Sequence, residues 1–121
     1  MAAVRYLVQD VDEAVAFYTG HLGFGLETQM GSAFALVAHG DLRLWLSGPK
    51  SSAARAMPDG RAPEAGGWNR IVLEVEDLGD RVAAMRTAGL TFRNHIVTGP
   101  GGMQILLDDP SGNPIELFQP A

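Results

Sequence analysis

The feature that most constrains this chain is that its two halves read as copies of one another. Val8-Gln9-Asp10-Val11 and Val75-Glu76-Asp77-Leu78 occupy equivalent places 67 residues apart, each an acid that follows an apolar run and opens an amphipathic segment. In the first copy, Val4 to Val8 is short and β-branched at both ends, as a strand would be. Val11, Ala14, Val15, Tyr18 and Leu22 then fall at helical spacing and predict a helix over 11–20, with Asp10 as its N-cap and Gly20 and Gly23 available to end it. Phe24 to Met30, Ala33 to Ala38 and Leu42 to Ser47, divided by Gly31-Ser32 and His39-Gly40-Asp41, are three further strands. The second copy repeats the order: a strand at Asn69 to Val75, a helix from Leu78 through Val82 and Met85 that stops at Gly89, then strands at Phe92 to Val97, Met103 to Leu107 and Ile115 to Phe118. Each copy is βαβββ, and one helix covers only one face of a sheet. The fold expected is therefore α+β: two modules forming a curved mixed sheet, helices outside and a concave face free for a ligand.

At 121 residues the chain is one domain, divided into a module over 1–47, a linker or lid over 48–67, and a module over 68–121. The linker is rich in Gly, Pro, Ser and Ala and has no sustained period. With no cysteine, disulfides, thiolate metal sites and cysteine nucleophiles are excluded, and a cytoplasmic location is expected. The N-terminal residues form no export signal and no segment is apolar enough to span a bilayer, so no membrane partner is expected. The net charge of −5 is spread over both halves, and without a Lys/Arg cluster nucleic acid is not an expected partner either.

Three stretches resemble the vicinal oxygen chelate superfamily, which holds glyoxalase I, ring-cleaving dioxygenases, fosfomycin-resistance thiol transferases and bleomycin-resistance proteins. They are Phe17-Tyr18-Thr19-Gly20-His21-Leu22-Gly23-Phe24, His39-Gly40-Asp41-Leu42, and Asp109-Pro110-Ser111-Gly112-Asn113-Pro114-Ile115-Glu116-Leu117. The resemblance covers essentially the whole chain. It implies a divalent metal held by a His seven residues before the Asp that opens each helix and by a Glu on the last strand. Those positions hold Ala3, Arg70 and Glu116. A methyl group cannot ligate and a guanidinium repels a cation, so no metal and no other cofactor is expected. Arg70 and Glu116 are instead expected to pair.

Side chains two apart share a strand face, which places Arg5, Leu7, Val72 and Glu74 with Ala3 and Arg70, and Phe118 with Glu116. The stretch His39 to Ser47 is similar to the strand that lines the drug site of fosfomycin-resistance proteins, which points Arg43 and Trp45 inward; by similar placement Gln104 and Leu106 face in. The ligand-binding set expected is thus Arg5, Leu7, Arg43, Trp45, Arg70, Gln104, Leu106, Glu116 and Phe118, with no catalytic residue assigned. A wall of indole, phenyl, aliphatic and few polar groups suits an aromatic ligand. The function expected is non-catalytic sequestration of a bulky aromatic natural product or antibiotic, as in bleomycin-resistance relatives. The alternative is an enzyme, either a glyoxalase-like metal-dependent lyase, isomerase or thiol transferase, or a metal-free catalyst using Glu116. A homodimer is expected, because relatives build each cavity from two modules, often one from each chain, and open sheet edges need cover.

Overall fold

The computed structural model describes residues 1–121 and contains two four-stranded mixed sheets and two helices, an α+β fold of two βαβββ modules. The chain divides into two compact units, one of residues 1–66 with 110–113, the other of 67–109 with 114–121. No helix is long and apolar enough to cross a membrane.

In the first unit, β1 (Val4–Leu7), α1 (Val11–His21), β2 (Gly25–Met30), β3 (Phe34–His39) and β4 (Leu42–Ser47) build a sheet of order β1-β4-β3-β2. Helix α1 starts as its sequence predicts, with the Asp10 carboxylate accepting the Glu13 N–H at 3.0 Å. Its Val11, Ala14, Phe17 and Tyr18 are buried, as are Tyr6, Val8, Ala35, Val37, Leu44 and Leu46, so alternation along each strand sends one side-chain set into this core. The other set stays on the open face: Arg5 pairs with Trp45 and Leu7 with Ser47 across β1 and β4. A bulge at Glu27 brings that side chain to Arg43 on the same face. Gly48 ends β4 where no side chain fits, because a Cβ there would lie 2.8 Å from the Ser32 carbonyl and 2.9 Å from Val11 Cγ2. The segment beyond it forms a 3₁₀ turn at Ser52–Ala54 and stays with the first unit, tied at its end by the Gly66 N–H on Asn113 Oδ1, while Asn113 Nδ2 donates to the Leu7 carbonyl.

In the second unit, β5 (Ile71–Glu74), α2 (Leu78–Thr87), β6 (Val97–Gly99), β7 (Gly102–Asp108) and β8 (Pro114–Pro120) give the order β5-β8-β7-β6. Ile71, Leu73, Ile105, Leu107, Ile115 and Leu117 form its core with Leu78 and Val82 of α2. Two local expectations are corrected here. The strand over Asn69 to Val75 shortens to Ile71–Glu74. The strand over 92–97 does not form; Phe92 makes a single bridge to Leu107, and pairing resumes only at Val97. Between them the Asn94 side chain, not a strand backbone, accepts the Leu106 N–H, which breaks the ladder. Unlike Asp10, Asp77 makes no side-chain cap bond and sits in the left-handed region at φ 52°; the Leu78 N–H is taken by Gln119 Oε1 at 2.8 Å. At Gly102, φ 147°, a Cβ would collide with the Gln119 carbonyl, so the β6–β7 turn requires glycine.

Candidate functional site

The expected ligand residues fall on the open faces of the two sheets. On the first, Arg5, Leu7, Arg43 and Trp45 share one side of β1 and β4. The Arg5 guanidinium lies 4.9 Å from the Trp45 ring centroid, within cation–π range, and Phe34 meets the indole edge-on at 5.9 Å. Arg43 is engaged by Glu27 at 2.9 Å and by the Gly40 carbonyl at 3.0 Å. Trp45 Nε1 and Ser47 Oγ are both buried without a hydrogen-bond partner, two residues apart on the same face of β4.

On the second sheet, Arg70, Gln104, Leu106, Glu116 and Phe118 lie on one face: Gln104 pairs with Phe118 and Leu106 with Glu116 across β7 and β8. Arg70 donates from Nε at 3.1 Å and from Nη2 at 2.8 Å, both to Oε1 of Glu116, and its Nη1 donates to the Trp68 carbonyl. Glu116 is 8% exposed, so the guanidinium compensates a carboxylate almost out of water. Its Oε2 accepts no hydrogen bond from the protein.

Sequence reasoning missed a second cation on this unit. Arg93 pairs with Asp108 at 2.6 Å, donates to the Gly67 carbonyl at 2.7 Å, and stacks 4.8 Å from the Trp68 ring centroid. It thereby holds the segment that carries Trp68 and Arg70. Only the alternation of Leu106 with Asp108 pointed to it, and the bent run around Arg93 hid its partner.

The strand registers add a correspondence that counting from the helix-opening acids cannot reach. Arg5 pairs with Trp45 in the first sheet and Val72, its counterpart 67 residues on, pairs with Glu116 in the second, so Trp45 is the first-module equivalent of Glu116. An indole stands where the repeat would put a second carboxylate. No three His, Asp or Glu side chains are grouped to hold a metal ion. The residues present therefore do not fit the divalent site that the resemblance implied: a methyl, a guanidinium and an indole replace ligands, and the one remaining carboxylate is engaged by a cation.

The profile of the Glyoxalase/Bleomycin resistance protein/Dioxygenase superfamily matches residues 1–117. The chain belongs to this superfamily. TnmS3, an antibiotic binding protein from Streptomyces sp. CB03234, is 26% identical, with 100% of this chain and 97% of TnmS3 covered at a TM-score of 0.71. UcmS2 is 25% identical, with 98% of this chain and 96% of UcmS2 covered at a TM-score of 0.70. Lactoylglutathione lyase from Agrobacterium tumefaciens shares the fold at a TM-score of 0.75 and 19% identity, over 98% of this chain and 92% of that one. No curated protein sequence matches.

Proposed function

We propose that this superfamily member is a non-catalytic binding protein that sequesters a bulky, partly aromatic natural product of the antibiotic kind. The observation that carries this reading is the Arg70–Glu116 pair: the carboxylate left from the family's metal set has one oxygen closed by two guanidinium N–H groups. The likeness to TnmS3, an antibiotic binding protein, supports the same reading. In this reading Arg5, Leu7, Arg43 and Trp45 on the first module, and Arg70, Gln104, Leu106, Glu116 and Phe118 on the second, face the ligand. The Trp45 ring supplies apolar contact, and Glu116 Oε2 accepts from a ligand hydroxyl or amide. The protein acts as a cytoplasmic homodimer, needs no metal, and binds no nucleic acid.

The test is a titration of the purified protein with planar aromatic, quinone-type antibiotics, followed by tryptophan fluorescence. Saturable quenching is expected, and the compound recovered after denaturation is unmodified. A changed compound, or stoichiometric divalent metal in the purified protein, refutes the reading. The free Oε2 of Glu116 is the one observation that favours a second reading, a metal-free enzyme with this carboxylate as base; turnover abolished by Glu116→Gln would establish it.

A further inference from the structure

We infer that the molecule held on the open face of the first sheet carries a negative charge beside its ring system, a carboxylate or an ionised hydroxyl, and that Arg5 selects for it; this rests on the proposed binding role and adds the ligand's charge. Strands β1 to β4 hold only three Arg, Lys, Asp or Glu side chains, which are Arg5, Glu27 and Arg43. Glu27 is taken by Arg43 at 2.9 Å. Two cations against one carboxylate therefore leave these strands one positive charge, on a chain whose net charge is −5. That charge is Arg5. Of the arginines in the proposed ligand set, Arg43 and Arg70 are each engaged by a carboxylate, whereas the Arg5 side chain meets no carboxylate and no hydrogen-bond acceptor of the protein. What positions it is the indole: its guanidinium lies 4.9 Å from the Trp45 ring centroid, an attraction that uses none of its N–H donors. Arg5 is exposed, so a molecule on this face reaches its donors directly. Its neighbours are apolar: Leu7 on β1, Trp45 on β4, and Leu36 and Phe34 on the same side of β3. A neutral ring laid over them takes water from the Arg5 fork and returns no acceptor, and a cationic one adds repulsion. An anion beside the ring supplies both the acceptors and the opposite charge, in the planar geometry a guanidinium matches.

The experiment titrates the full-length protein at neutral pH with anthraquinone-2-carboxylate and, separately, with anthraquinone-2-carboxamide, which has the same rings and nearly the same shape but no charge. Tryptophan quenching is the readout. In about 0.05 M salt the carboxylate is expected to bind about three- to tenfold tighter, the range one charge-assisted contact at a partly exposed site supplies. The preference should shrink in 1 M salt, where the Debye length is about 3 Å. Arg5→Gln should bring the two probes to equal affinity, and Arg5→Lys, which keeps the charge, should retain part of the difference. If Arg5→Gln does not fold, the wild-type preference and its salt dependence decide alone. Equal affinity for the two probes in the wild type, tighter binding of the carboxamide, or a preference that survives Arg5→Gln overturns this inference and leaves the binding role standing. Absence of saturable quenching by either probe overturns the binding role, and this inference with it.

Discussion

Replacing Arg70 by Met keeps an unbranched apolar stem but removes the charge from Glu116, and the structure sets the expected cost. Glu116 keeps only 10% of its side chain exposed, while Arg70 keeps 29%. Breaking a fully buried ion pair by deleting one partner costs about 3–5 kcal/mol, because the survivor is left charged and unpaired. Water reaches Arg70 and weakens the pair somewhat, so a loss of about 2–3 kcal/mol is expected. For a chain of this size that lowers Tm by about 10 °C. The double variant Arg70→Met with Glu116→Gln should recover most of the loss, since the buried group is then neutral, whereas Glu116→Gln alone should cost about 1–2 kcal/mol as a weakened hydrogen bond. Urea unfolding of the wild type and the three variants closes the cycle. A loss below about 0.5 kcal/mol for Arg70→Met, or a double variant no more stable than Arg70→Met, would refute the claim that this guanidinium neutralises a desolvated carboxylate.

Gly48→Ala should destabilise by about 1–3 kcal/mol in the same unfolding assay, because its Cβ would meet the Ser32 carbonyl and Val11 Cγ2 inside 3 Å. Asp10→Ala should cost about 1 kcal/mol by removing the cap of α1. Asp77→Gly should be neutral or stabilising by about 0.5 kcal/mol, since Asp77 makes no cap bond and holds a left-handed backbone. Trp45→Ala should weaken binding of any sequestered aromatic compound at least about tenfold, read by calorimetry; undiminished affinity would remove Trp45 from the ligand wall. Sedimentation at micromolar concentration should give a dimer, and a monomer would contradict that part of the proposed function.

The fold was legible because the repeat and the strand alternation are both local. Tyr6 and Val8 go to the core while Arg5 and Leu7 stay out, as a period of two requires. Failures came where a distant group took over a local role. Asp10 and Asp77 open helices in the same sequence pattern, yet only Asp10 makes a cap bond, Asp77 being held in a left-handed backbone, while Gln119, far along the chain, takes the Leu78 N–H. Phe92 to Val97 reads as a strand, but the Asn94 side chain takes the Leu106 N–H that a strand would have taken. Neither substitution leaves a trace in a sliding window.

The candidate site's Arg70–Glu116 pair was legible to the extent that the repeat keeps a constant offset. Arg70 and Glu116 meet because one lies a fixed count before Asp77 and the other on the last strand, and both positions could be read from the motifs. The offset then changes: β1 maps onto β5 at 67 residues, but the registers put β4 onto β8 at 71, since Trp45 answers to Glu116. Three of the four extra residues enter before β7, since Leu36 answers to Leu106 at 70, and one enters in the turn between β7 and β8, so counting from the helix-opening acids does not reach Trp45, which only the likeness of the His39 to Ser47 stretch pointed to. Once it is placed, the four equivalent positions hold a methyl at Ala3, a guanidinium at Arg70, an indole at Trp45 and a carboxylate at Glu116. A chelating set needs several convergent lone pairs, and only one of these groups offers them. A recognition surface needs a flat polarizable ring, a fixed charge and an acceptor, and three of the four supply those. The four repeated positions therefore do not make a chelating set, and the cation on Glu116 is the observation on which the proposed binding role rests.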